Sequence, residues 1–166
     1  MTRWLTESEQ RAWRRYLTMN AQLTARLARQ LQTESGLSLP DFEVLVQLTD
    51  QPEPRMRIGE LATALQWEKS RLSHHLARMQ KRGLVCREDC PSDARGAFVV
   101  LTDQGRDAIE NAAPGHVDTV RELVFDQLTP EQVEAWASIT EQVLWSLQET
   151  AQPPGRPPVA PNPHAG

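Results

Sequence analysis

Between Ile58 and Thr102 the apolar residues change their period once, from that of a helix to that of a strand, and this switch restricts the chain more than any other feature. IGELATAL places Ile58, Leu61, Ala62 and Leu65 on one helical face, and Trp67 closes the segment. EKSRLSHHLARMQKR, from about Glu68 to Arg82, predicts a second helix with Leu72, Leu76 and Met79 as its buried stripe. Lys69, Ser70, Arg71, Ser73, His74 and Arg78 fall on its other faces, and Gly83 stands where a helix ends. LVCRE then sets apolar Leu84 and Cys86 in alternation, and GAFVVL is rich in β-branched and aromatic residues. CPSDAR between them supplies a polar, proline-containing turn. Two helices in tight succession followed by a hairpin describe a winged helix-turn-helix. Such a unit reads DNA by laying its second helix in the major groove and a cationic hairpin tip in the minor groove. The expected DNA contacts are therefore Lys69, Ser70, Arg71, Ser73, His74 and Arg78, with Arg95 at the tip.

Charge agrees with this, although the 166-residue chain carries a net charge of −4. From Arg55 to Arg95 there are nine Lys and Arg against five Asp and Glu, about +4, so the remainder, nine against seventeen, carries −8. Phosphate binding depends on where cations sit, and acidic flanks keep the rest of the surface off nucleic acid. On charge alone, a solvated helix face would look the same.

The segment LATALQWEKSRLSHHLARMQKRGLVCRE, the DARG at Asp93 to Gly96 and the LTDQG at Leu101 to Gly105 together resemble the MarR-type transcriptional regulators in order and spacing. The resemblance extends less specifically over Leu5 to Leu147. It implies a mainly α fold with a small β-hairpin wing: a winged helix-turn-helix flanked by N- and C-terminal dimerisation helices. Gln66 and Trp67 replace the small residue and medium aliphatic common in the turn. Glu68 stands where many members have a serine cap, a position at which a negative charge is favoured by the helix dipole.

The flanks carry the helices this requires. Thr6-x-x-Glu9 is a capping box opening a helix of about residues 6–35, with Trp13, Tyr16, Leu17, Asn20, Leu23, Leu27 and Leu31 on one broad face and Gly36 at its end. LPDFEVLVQL forms another. A long helix is expected from Thr102 through Leu128, bent at Pro114 and Gly115. Thr129-Pro130-x-Gln132 starts the last one, with Val133, Trp136, Ile139, Val143, Leu144 and Leu147 as its apolar stripe. The DNA-binding lobe is thus about 55–101 and the dimerisation helices about 6–35 and 103–149, within a single domain of 1–150. Residues 151–166 hold six of the twelve prolines and read as a disordered tail. Two long amphipathic helices have more apolar face than the lobe between them covers. They either fold back on their own chain or meet a partner; the resemblance implies a two-fold homodimer on pseudopalindromic double-stranded DNA.

The resemblance also implies a small effector held between the dimer helices and the lobe. Trp13, Tyr16, Asn20, Phe42, Val46, His116 and Val120 would line that crevice, which suits a small aromatic or amphipathic molecule. An aromatic residue at helical spacing is more often core than pocket lining. No cofactor, metal site or catalytic set is expected: His74 and His75 diverge by about 100° on a helix, and HExxH, Walker, GxSxG and GxGxxG patterns are missing. Cys86 and Cys90 fit neither a disulfide framework nor a four-ligand zinc site. Neither a signal sequence nor an apolar span of membrane length is present, so a cytoplasmic protein without membrane contact is expected. The function indicated is that of a ligand-responsive repressor, not an enzyme. Two alternatives stay open: a winged helix used for protein contact without DNA, and a regulator that senses oxidants through Cys86 or Cys90.

Overall fold

The structure, a computed structural model, describes residues 1–89 and 97–151. The chain divides into two compact units, Met1–Leu123 and Val124–Gly166. The first unit runs α1 (Glu7–Ser35), α2 (Leu39–Thr49), β1 (Arg55–Arg57), α3 (Ile58–Leu65), α4 (Lys69–Lys81), β2 (Val85–Asp89), β3 (Ala97–Leu101) and α5 (Asp103–Leu123). The Thr6 hydroxyl accepts from the Glu9 N–H at 3.3 Å while the Glu9 carboxylate accepts from the Thr6 N–H at 2.7 Å, the reciprocal cap expected at the start of α1. Ser38 and Asp41 repeat that device at the start of α2.

One apolar cluster joins these elements through Leu31, Leu45, Leu48, Leu61, Leu72, Leu76, Met79, Val99 and Ile109. Only the C-terminal end of α1 enters it, at Leu31; Trp13, Tyr16 and Leu17 remain about half exposed. The sheet is antiparallel with strand order β1-β3-β2, not the two-stranded ribbon expected from sequence. Arg55–Arg57 adds the third strand, Met56 pairing with Val99. RMR has no alternation that would announce a strand; backbone pairing makes it one. The guanidinium groups of Arg55 and Arg57 each lie 5.1 Å from the centre of the Phe98 ring, a cation-π arrangement that adds to the pairing.

Two segments of the quoted signature are locked together. Gly83 adopts φ +75° after α4, and the Leu84 N–H returns to the Met79 carbonyl at 3.1 Å. The Thr102 hydroxyl donates to the Gly83 carbonyl at 2.6 Å and accepts from the Gly105 N–H at 2.9 Å, so one side chain both starts α5 and holds the end of α4. Gly105 is buried directly against the Leu84 carbonyl.

The helix expected through Leu128 ends at Leu123 instead. Val124, Phe125 and Asp126 are consecutive weak helix formers, and Val124 leaves helical geometry (φ −126°, ψ −71°) before a 3-10 turn at Phe125–Gln127. The second unit continues as α6 (Pro130–Ala151), opened by Thr129 and Gln132, each backbone N–H donating to the other's side chain. Phe125 packs on Trp136 with ring centroids 6.0 Å apart. Ile139, Val143, Leu144, Trp145 and Leu147 are all more than half exposed. Among the described residues no helix is long and apolar enough to cross a membrane. Apart from Ala151, which closes α6, the proline-rich tail lies outside the described residues, as do Cys90 and Arg95.

Candidate nucleic-acid interface

The turn between α3 and α4 is made by a residue that rarely makes one. Gln66 adopts left-handed geometry (φ 54°, ψ 38°), so the Trp67 N–H turns back to the Ala62 carbonyl at 2.9 Å. Glu68 then precedes α4 without a side-chain cap bond. Behind α4, Leu72, Leu76 and Met79 are fully buried. In front, Lys69, Ser70, Arg71, His74 and Arg78 are exposed, as the sequence placed them. Ser73 differs: it is half-buried, and its carbonyl accepts from the Arg87 guanidinium at 2.9 Å, which ties β2 to α4.

Sequence reasoning missed what anchors this face. His75 is 7% exposed, and its Nε2 lies 3.0 Å from Oδ1 of Asp41, which is 2% exposed on α2. The ring N–H is angled off that oxygen, so the contact is one of charge and dipole rather than an aligned hydrogen bond. Arg82 donates to Asp41 Oδ2 at 2.6 Å and to the Gly36 carbonyl at 3.1 Å. Burial opposes the Asp41 charge, but His75, Arg82 and Ser38 outweigh it and hold the carboxyl well below the usual carboxylate range. On its other side His75 Nδ1 lies 3.0 Å from the Arg78 guanidinium. The Trp67 ring stands edge-on to His75 at 5.5 Å and carries the Arg71 guanidinium 4.2 Å from its centroid. Glu43 of α2 faces both Arg71 and His75, and burial raises its carboxyl above the ordinary value against their attraction. One signal was available: His75 follows Leu72 by three and precedes Met79 by four, on the apolar stripe, where a buried imidazole requires polar partners.

The expected effector crevice is only partly assembled. Phe42 and His116 meet with ring centroids 4.4 Å apart, and burial pushes the His116 imidazole below its ordinary range. Val46 packs on the core beside them in sequence, and Val120 is half-buried one turn beyond His116. His116 Nδ1 and Gln30 Oε1 are buried with no hydrogen-bond partner among the described residues. Trp13 and Tyr16 stack on each other instead, centroids 5.4 Å apart, and Asn20 is exposed. Trp13 precedes Gln30 by seventeen residues of α1, about 25 Å along the helix axis. Among the described residues no group of three or more His, Cys, Asp or Glu side chains is arranged to hold a metal, and Cys86 is a half-buried free thiol on β2.

A helix-turn-helix joined to a three-stranded wing, its second helix basic outside and anchored inside, defines the class of winged-helix transcription regulators. Comparison with known proteins narrows the class. The sequence model of the MarR family matches residues 35–96. Over 109 residues the chain is 32% identical to the transcriptional regulator HosA of Escherichia coli O111:H-, covering 65% of this chain and 78% of that one. AbsC, a MarR family transcriptional regulator from Streptomyces coelicolor, is 43% identical with a TM-score of 0.84, over 89% of this chain and 99% of AbsC. Sco3205, a MarR family regulator of the same organism solved in complex with DNA, is 47% identical with a TM-score of 0.85, over 89% of this chain and 92% of its own. The chain belongs to the MarR family of transcriptional regulators, a family of regulators and not of enzymes.

Proposed function

We propose that this regulator is a cytoplasmic, ligand-responsive repressor that binds a pseudopalindromic operator as a homodimer. The observation that carries the DNA reading is the exposed set Lys69, Ser70, Arg71, His74 and Arg78 on a helix whose opposite side is locked into the core. Basic and hydroxyl groups in that arrangement serve phosphate and base-edge contact, with Arg95 of the wing as the minor-groove contact. The DNA complex of Sco3205 supports it. The homodimer is supported by the exposed apolar residues of α6 and by those at the start of α1, each an area that water disfavours. The effector reading rests on Phe42 and His116, whose buried Nδ1 has no hydrogen-bond partner among the described residues, and suits a small aromatic molecule carrying a hydrogen-bonding group.

Fluorescence anisotropy with duplexes from the chain's own promoter region, against random duplex at fixed salt, tests the DNA reading. Selective binding that weakens steeply with salt is expected. Equal binding of both duplexes, or of neither, would leave a protein-contact module as the better description. Adding small phenols and aromatic carboxylates to the bound complex tests the effector: release by one of them is expected.

A further inference from the structure

We propose that His75 is a positioning residue for DNA recognition: its neutral imidazole, gripped from behind by Asp41, accepts a hydrogen bond from Arg78 and presents that guanidinium to the DNA. The inference rests on the proposed use of α4 as the reading helix.

The tautomer follows from chemistry. A guanidinium has only donors, so at 3.0 Å from Arg78 the His75 Nδ1 is the acceptor and bears no proton. The ring proton is then on Nε2, on the side of the Asp41 carboxylate 3.0 Å away. The imidazole cannot turn freely, because it is buried, sits edge-on to Trp67, and faces a carboxylate itself held by Ser38 and Arg82. Arg78 is its opposite, a long exposed side chain whose rotamer freedom would otherwise be lost on binding DNA. One hydrogen bond to a fixed acceptor removes much of that loss in advance. The same α2 turn reaches both ways: Asp41 holds the ring behind Arg78, and Phe42, the next residue, packs on His116.

The charged groups gathered around the ring are Asp41 and Glu43 of α2, Arg71 and Arg78 of α4, and Arg82 just after it. Of the three guanidiniums, Arg78 is the one within hydrogen-bond distance of Nδ1.

Two substitutions separate the two sides of the ring. His75→Gln keeps a donor near the Nε2 position but gives up the acceptor at Nδ1, whereas His75→Asn places its carbonyl oxygen near Nδ1 and does not titrate. Affinity for operator and random duplex would be measured at pH 8 for the full chain, both variants, Arg78→Ala and the double His75→Gln/Arg78→Ala. His75→Gln should lose roughly fivefold in operator affinity, and the double variant should be no weaker than Arg78→Ala, because the two act as one unit. His75→Asn, which keeps the acceptor, should stay close to wild type. Additive losses in the double variant, or a loss in His75→Asn equal to that in His75→Gln, would overturn the positioning role while leaving DNA binding intact. Failure of the wild type to discriminate operator from random duplex would overturn the DNA reading and the proposal with it. If His75→Gln does not fold, His75→Asn still decides, since a roughly fivefold loss of operator affinity in that folded variant would overturn the role.

Discussion

At the scale of single residues, the lobe is held by positions where a side chain must be absent or must be tolerated. A Cβ on Gly105 would lie 2.0 Å from the Leu84 carbonyl oxygen and 2.9 Å from Leu101 Cδ1. The first is backbone and cannot rotate away, so α5 would have to lift off the end of α4. Gly105→Ala should therefore cost about 3 kcal/mol, at the upper end for overpacking a core, read as a lower urea midpoint with an unchanged slope. A variant as stable as the wild type would count against the close approach of α5 to the Leu84 carbonyl. Gln66 is the converse case. It is the one non-glycine residue at positive φ among those described, and its side chain returns only an exposed bond to the Thr63 carbonyl. Gln66→Gly should raise stability by roughly 0.5 to 1 kcal/mol, since left-handed geometry costs a side-chain-bearing residue about 1 to 2 kcal/mol and the greater freedom of glycine in the unfolded chain takes back part of the gain. Thermal unfolding would detect it as a rise of a few degrees.

At the scale of elements, α2 connects the parts, and acid is the means of testing it. Asp41 is ionised in the fold at a pH where the unfolded chain has already begun to take a proton, because His75, Arg82 and Ser38 outweigh its burial. Its contribution is thus complete above the ordinary carboxylate range, near pH 4, and is lost as pH falls below that toward the depressed folded value. Wild type should lose stability from pH 4 to pH 2.5, and Asp41→Asn, weaker at pH 7, should lose less over that interval; parallel decline would exclude Asp41 as the source. Such elements differ in how plainly the sequence states them. α3 and α4 are legible because Ile58, Leu61, Leu65 and Leu72, Leu76, Met79 keep a helical period, and α1 and α6 because Thr6 and Thr129 cap them as their motifs require. β1 is not, since three residues with two arginines become a strand only once β3 is alongside. Nor is the group behind α4: Asp41 and His75 are thirty-four positions apart, and each has an ordinary local reading, one as a capping residue, the other as a helix histidine. The exposed face of α4 follows from periodicity; the contacts that fix α4 from behind join distant segments.

At the scale of the whole molecule, the apolar side chains of α6 call for a cover. Ile139, Val143, Leu144, Trp145 and Leu147 are between 54% and 66% exposed, an unfavourable arrangement for an isolated chain in water. The proposed homodimer would cover them with a second copy, and two reading helices related by a two-fold axis would match two half-sites of a pseudopalindrome about one helical turn, roughly 34 Å, apart. Leu144→Asp places a carboxylate in the middle of that set. In a monomer the charge would remain in water at little cost, whereas in a dimer that buries the face it would be left unpaired at a cost of at least several kcal/mol. Sedimentation should accordingly show the wild type at twice the 18.8 kDa chain mass and Leu144→Asp near the chain mass, with helical content retained. Operator affinity should fall with dimerisation, while the weaker attraction to random duplex, which each lobe supplies by itself, persists. A Leu144→Asp protein that sediments as the wild type does would remove this face from the interface and leave its exposure without a partner.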